Sequence, residues 1–120
     1  MGTGAKVNGF DGAVVDGGVR DVNQLKNANF PVFSRSIVPS STIGRVITLV
    51  QNIPVTCGGV MVYPGDIILG DADGVVVVPR AYAEEILRIA EETEEIERQQ
   101  IADIKELKSI VKAVEKWARI

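Results

Sequence analysis

Arg20 and Asp21 stand side by side just after Asp16-Gly17-Gly18-Val19, in the stretch DGGVRD. An arginine presents a rigid planar fork of donors that matches a carboxylate through two parallel hydrogen bonds. An aspartate offers hard oxygen to a divalent cation such as Mg²⁺ or Mn²⁺, directly or through water. Adjacent to each other, the two suit the two ends of a small 2-oxo acid. Arg20 would take the carboxylate, and a cation at Asp21 would take the keto oxygen. Positive charge there stabilises the enolate that develops in aldol cleavage or β-decarboxylation. Gly17 and Gly18 have no side chain and would let the backbone come close to such a ligand. A plainer reading is also open: a strand end, a glycine turn, Asp21 as a helix N-cap and a solvated Arg20.

Composition narrows the chemistry. The chain has 120 residues and no histidine, which removes Ser-His-Asp and Cys-His catalysis in their usual forms and histidine-based zinc or iron sites. Any metal must therefore be held by carboxylates, carbonyls and water, which favours a hard ion. The net charge of −3 and the absence of a basic run argue against nucleic acid as a partner. No run is long and apolar enough for a membrane span, and MGTGAKVNGF lacks the apolar stretch of a leader. With Cys57 as the one cysteine no intrachain disulfide can form, and a reducing, cytoplasmic setting is expected.

Two regions must position these residues. Residues 1–80 are rich in Val, Ile, Gly and Pro and read as a β-rich core. GAVVDGG is a short apolar run bounded by glycine, as in a strand buried on both faces. A short helix over VNQLKNANF and a strand over FPVFSRSI follow, which makes a βαβ unit. Beyond it, GRVITLVQNIPVTCGGVMVYPGDIILGDADGVVVVP alternates β-rich runs with turn signals. DADG between DIIL and VVVVP predicts a hairpin, and VVVV predicts a fully buried strand. Residues 81–120 contain no Gly or Pro and carry an apolar stripe through Ile86, Ala90, Thr93, Ile96, Ile101, Ile104, Leu107, Val111, Val114 and Ala118. That pattern predicts one long helix, with more length than a small domain can cover and a role in oligomerisation. The fold class is α/β.

Other polar residues read as structural. Asp16 is expected to tie the glycine turn with its side chain, with support of the Arg20–Asp21 site as the alternative. Asp66, Asp71 and Asp73 have turn-forming neighbours, and Gly58-Gly59 suits a turn rather than a phosphate loop. Cys57 has no base beside it and reads as a small buried residue. Arg35 and Arg45 read as exposed or ion-paired, and the glutamates from Glu91 to Glu97 as a solvated helix face.

GAVVDGGVRDV, FPVFSRSIVPSSTIGR, PVTCGGVMVYPGDIILGDADGVVVVPR and AEEILRIAEE occur in this order. Together they resemble the C-terminal part of the RraA-like family, over residues 7–100. That family includes 4-hydroxy-4-methyl-2-oxoglutarate aldolases and regulators of ribonuclease E activity. The resemblance implies a swivelling β/β/α domain, present here in part, and a homotrimer or hexamer. It implies class II pyruvate aldolase chemistry with Mg²⁺ or Mn²⁺, often accompanied by oxaloacetate decarboxylation. On the matching positions, Arg20 contacts the pyruvyl group and Asp21 serves the metal, largely through coordinated waters. Glu94 or Glu97 is the candidate for a glutamate contributed by a neighbouring subunit's helix. Two departures stand out. The family has a Gly- and Asp-containing loop upstream of the Arg-Asp pair that this chain is expected to lack, and Gln24 stands where an acidic residue is frequent. The resemblance therefore implies a metal-dependent lyase, truncated and weakly active, or alternatively a protein-binding regulator of ribonuclease activity or an inactive oligomeric scaffold.

Overall fold

The computed structural model describes residues 2–117, in two compact units, Met1–Arg80 and Ala81–Ile120. The first unit runs α1 (Gly2–Val7), β1 (Ala13–Val19), α2 (Val22–Asn27), β2 (Val32–Ile37), β3 (Val55–Cys57), β4 (Val60–Val62), β5 (Ile67–Gly70) and β6 (Val75–Val78). A 3-10 turn at Arg80–Tyr82 leads to the second unit, α3 (Ala83–Leu107) and α4 (Ile110–Trp117). The class is mixed α/β with small sheets and a long C-terminal helix, as the sequence predicts.

The strands form three separate two-stranded sheets. β1 and β2 pair in parallel through α2, which is the expected βαβ unit. The connection closes on a helix end that the sequence encodes. Asn29 adopts φ 48°, Phe30 N–H donates to Leu25 O at 3.1 Å and Asn29 N–H donates to Lys26 O at 2.9 Å. This is a Schellman stop with asparagine in the left-handed position, and it turns the Phe30 side chain inward to 3% exposure.

The other two sheets are antiparallel hairpins. Gly58 and Gly59, both at positive φ, make the two-residue turn from β3 to β4, as twisted hairpins require. Pro64 and Gly65 turn the chain before β5, with Asp66 N–H donating to Tyr63 O at 3.0 Å and the Asp66 carboxylate accepting from Tyr63 N–H at 2.8 Å. In DADG the Asp71 carboxylate accepts from the amides of Asp73 at 2.8 Å and Gly74 at 3.2 Å. The two aspartate-bearing turns are thus built as the sequence suggests, Asp66 and Asp71 each using a side chain in place of a backbone acceptor.

Burial departs from expectation. Among the described residues, the buried apolar side chains are Phe30 and Ala113. GAVV and VVVV are not strands buried on both faces: Val14 and Val76 stand 42% and 62% exposed. In a two-stranded ribbon every strand is an edge, and a single layer cannot cover both faces. The run GRVITLV forms no strand, because nothing among the described residues pairs with it, and Ile47 and Leu49 are exposed. One close contact joins β5 to β2: a Cβ at Gly70 would sit 2.5 Å from Cζ of Phe33 and 2.6 Å from its Cε2. Gly70→Ala is expected to push this ring aside and cost about 1–3 kcal/mol, read as a lower urea midpoint.

The second unit is not a single helix. α3 is 25 residues long, roughly 37 Å at 1.5 Å per residue. It ends at Lys108 in the left-handed conformation (φ 49°), and Ser109 starts α4, its hydroxyl accepting from Lys112 N–H at 3.4 Å. α4 folds back on α3. Asp103 of α3 accepts from Trp117 Nε1–H at 2.5 Å and from Lys116 Nζ at 2.9 Å, and Ala113 is the buried contact. Ile86 and Ile101 of the predicted stripe remain exposed, and Ala118 lies outside the described residues.

The hairpin has a built-in reporter, since Trp117 is the only tryptophan. Hydrogen bonds from Trp117, and then from Lys116, hold the Asp103 carboxyl below its ordinary value of 3.8. A depressed carboxyl stabilises the fold above that ordinary value and loses the contribution as pH falls through its folded value. Trp117 emission is expected to stay constant from pH 7 to about 4 and to shift to the red below that. Asp103→Ala should give the shifted spectrum already at pH 7.

Candidate active site

β1 carries the site residues. Ala13, Val14 and Val15 pair with Val32, Phe33 and Ser34, after which Gly18 pairs with Ser36 and Val19 with Ile37. Three steps along β1 thus match two along β2, which is a bulge of one residue. Gly17 and Gly18 are therefore not a turn beyond the strand, as the sequence suggests, but lie within it. The two differ in kind. At Gly18 a Cβ would lie 2.5 Å from Cγ2 of Val38 and 3.3 Å from the Ser36 hydroxyl, so the chain itself fills that space. At Gly17 the nearest such neighbour is Val15 Cγ1 at 3.9 Å, which leaves this glycine the open one.

Past Val19, whose carbonyl accepts from Val38 N–H at 2.8 Å, the chain leaves the sheet. Arg20 and Asp21 occupy the corner at the carboxyl end of a parallel strand, where α/β folds place ligands. Asp21 sits at φ 60° and ψ 36°, a left-handed conformation that few residues other than glycine, asparagine and aspartate accept. It precedes α2 as expected, but its side chain makes no capping bond. Its backbone carbonyl accepts from Gln24 and Leu25, while its carboxylate turns to Arg20, whose Nε donates to Oδ2 at 2.8 Å.

This pair is about half exposed on both sides, at 50% for Arg20 and 47% for Asp21. An ion pair in such a setting contributes about 0–1 kcal/mol. It is weak enough to exchange for a ligand. The terminal nitrogens of Arg20 are not used by this contact, and neither is Oδ1 of Asp21. The first unit also holds an apolar cleft of about 600 Å³ lined by Val19, Val22, Leu25, Phe30 and Ile37, and it flanks the corner without including Arg20 or Asp21.

The donor set limits what metal could be held. Among the described residues no group of three or more Cys, Asp and Glu side chains converges. A caged, dehydrated ion does not fit. A Mg²⁺ ion that keeps several waters and takes one carboxylate does fit Asp21. Glu94 and Glu97 belong to the second unit, three residues apart on α3 and exposed. Neither joins the ion pairs of that helix, which link Arg88 to Glu92 at 2.6 Å and Arg98 to Glu95.

One linkage is only half legible in the sequence. Asp16, in the bulge of β1, pairs with Arg35 of β2 and accepts from Gly58 N–H at 3.1 Å through its other oxygen. Arg35, and then the Gly58 amide, hold the Asp16 carboxyl below its ordinary value. The expectation that Asp16 ties its own glycines is thus corrected: it ties β1 to β2 and to the β3–β4 turn, 42 residues away. Cys57, next to that turn, is half-buried and free.

Residues 1–77 match the RraA-like family, described as Aldolase/RraA. This chain belongs to the RraA-like family. Within it, a protein of Halalkalibacterium halodurans named "Putative 4-hydroxy-4-methyl-2-oxoglutarate aldolase" is 43% identical over 90 residues, which is 72% of this chain and 40% of that protein. Two crystal structures share the fold. An uncharacterised Pseudomonas syringae protein superposes with a TM-score of 0.88 at 33% identity, over 97% of this chain and 55% of that one. Streptomyces coelicolor RraAS2, described as an unusual member of the RNase ES inhibitor RraA family, superposes with a TM-score of 0.66 at 35% identity, over 78% of this chain and 50% of that one. The RraA-like chain described here thus spans about half the length of the relatives it matches.

Proposed function

We propose that this chain carries the Arg20–Asp21 part of a pyruvate-releasing lyase site, acting on 4-hydroxy-4-methyl-2-oxoglutarate-type acids, on oxaloacetate, or on both. The observation that carries the reading is the exchangeable Arg20–Asp21 pair at the carboxyl end of β1, in a family whose members include named aldolases. Arg20 orients the substrate by its 1-carboxylate through the two terminal nitrogens. Asp21 would hold a hydrated Mg²⁺ or Mn²⁺, which supplies positive charge for the oxygen anion that develops as the C3–C4 bond breaks. In retro-aldol cleavage the 4-hydroxyl loses its proton, the bond electrons pass to C3, and C3 is protonated to give the second pyruvate. In decarboxylation the leaving fragment is CO₂. With no histidine in the chain, the free Asp21 oxygen would position a water for these proton transfers.

The reading extends to association. The exposed valines of β1 and β6 and the exposed stripe of α3 suit further packing, and a homotrimer is the form proposed. Glu94 or Glu97 of a neighbouring copy would then complete the site. Pyruvate release from both acids, with Mg²⁺ titrated against a metal-free blank, tests the chemistry. No release above the blank would sink it. The likeness to RraAS2 favours one other reading, a protein-binding regulator of ribonuclease activity. Inhibition of a purified RNase E-type enzyme by this chain, unchanged in Asp21→Ala, would select that alternative.

A further inference from the structure

The bulge in β1 fixes which way Arg20 faces. Side chains alternate along a strand, so one extra residue sends every later side chain to the opposite face. The extra residue lies between Val15 and Gly18, opposite Arg35, the β2 residue between Ser34 and Ser36. Asp16 stands in that gap. One carboxylate oxygen pairs with Arg35 Nε, and the other accepts from Gly58 N–H at 3.1 Å. A single carboxylate therefore joins the bulge to the neighbouring strand and to a turn far along the chain. Beyond it, Val38 fills the space at Gly18 and blocks a slip in register.

We infer that Asp16 and Arg35 are a positioning pair: they hold the β1 bulge and so set the face on which Arg20 and Asp21 emerge. This rests on the lyase reading only where it concerns turnover. The pair is too exposed, at 64% for Arg35 and 32% for Asp16, to matter much for stability. Its loss should therefore register at Arg20 rather than in melting. Asp16→Asn keeps the size and one acceptor but removes the charge that Arg35 meets.

The test compares ¹H–¹⁵N spectra of the wild-type chain, Asp16→Asn and Asp71→Asn. Asp71 performs a similar amide-accepting task in the β5–β6 loop and serves as control. Asp16→Asn is expected to shift the Arg20 Nε–H signal and the Gly17 and Gly18 amides, with the thermal midpoint moving by less than about 4 °C. Asp71→Asn should leave those signals in place. If the wild type releases pyruvate, kcat/KM in Asp16→Asn should fall by about tenfold to a hundredfold. Unmoved Arg20, Gly17 and Gly18 signals in Asp16→Asn overturn the proposal, as does an unchanged kcat/KM in an active enzyme. A wild type without turnover would end the lyase reading, and the spectra would still decide the positioning role.

Discussion

Asp21→Ala is expected to lower Mg²⁺-dependent pyruvate release from oxaloacetate by about 10²–10³-fold, the cost of removing one group that stabilises developing charge. Among the described residues no group of three or more metal-binding side chains converges, so the proposed site rests on this one carboxylate. Arg20→Ala should act differently. Without the fork that orients the carboxylate, KM should rise together with the fall in kcat, and Arg20→Lys should restore little, because a lysine offers a point charge in place of two parallel donors. The two side chains already touch each other at 2.8 Å, so their effects should not add. The double variant is expected to be no worse than about the poorer single one. Folding should survive all of these changes, since a half-exposed pair contributes about 0–1 kcal/mol. Equal rates in wild type and Asp21→Ala, with circular dichroism unchanged, would refute the assignment.

The largest expected loss of stability comes from Phe30→Ala. Phe30 is 3% exposed and seats the end of α2, while α1 packs beside it, with the space at Gly2 bordered by Leu25 and by Cδ1 of Phe30 at 3.8 Å. Removing a buried phenyl costs about 3–5 kcal/mol. A small domain holds only about 5–15 kcal/mol in total. The first unit should therefore melt at far lower urea or lose protection of its β1 and β2 amides from hydrogen exchange. Ile47→Ala, at 78% exposure, is the control and should change stability by less than about 0.5 kcal/mol. A shift as small for Phe30→Ala as for Ile47→Ala would show that the unit owes little to this residue.

The contrast between these two residues shows where sequence reading succeeds and where it stops. Phe30 and Ile47 are both apolar and both lie near glycines or polar turns, so pattern alone does not rank them. The turns themselves are legible, because their chemistry is local. Gly58-Gly59, Pro64-Gly65 and the Asp71 loop each need particular backbone angles or a short acceptor, and the residues present supply them. The α1 helix was not legible, since GTGAKV has two glycines and low helix propensity, and its place depends on packing against Leu25. The break in the C-terminal helix had one local signal, Ser109, a good N-cap. The decisive element was Asp103, whose partners lie 13 and 14 residues further along.

By itself, then, the sequence determined the family, the α/β class, the βαβ order and the turn chemistry, and it singled out the Arg20–Asp21 pair as the candidate site. It also shows that these 120 residues contain no histidine. These follow from residue identity and short spacing. Only the tertiary structure decided that Gly17 and Gly18 lie within a bulged strand rather than a turn, that Asp16 meets Arg35 and Gly58, and that α4 folds back onto α3. Each of those depends on strand register or on contacts between residues far apart in the chain, which a one-residue slip would change without altering any local pattern.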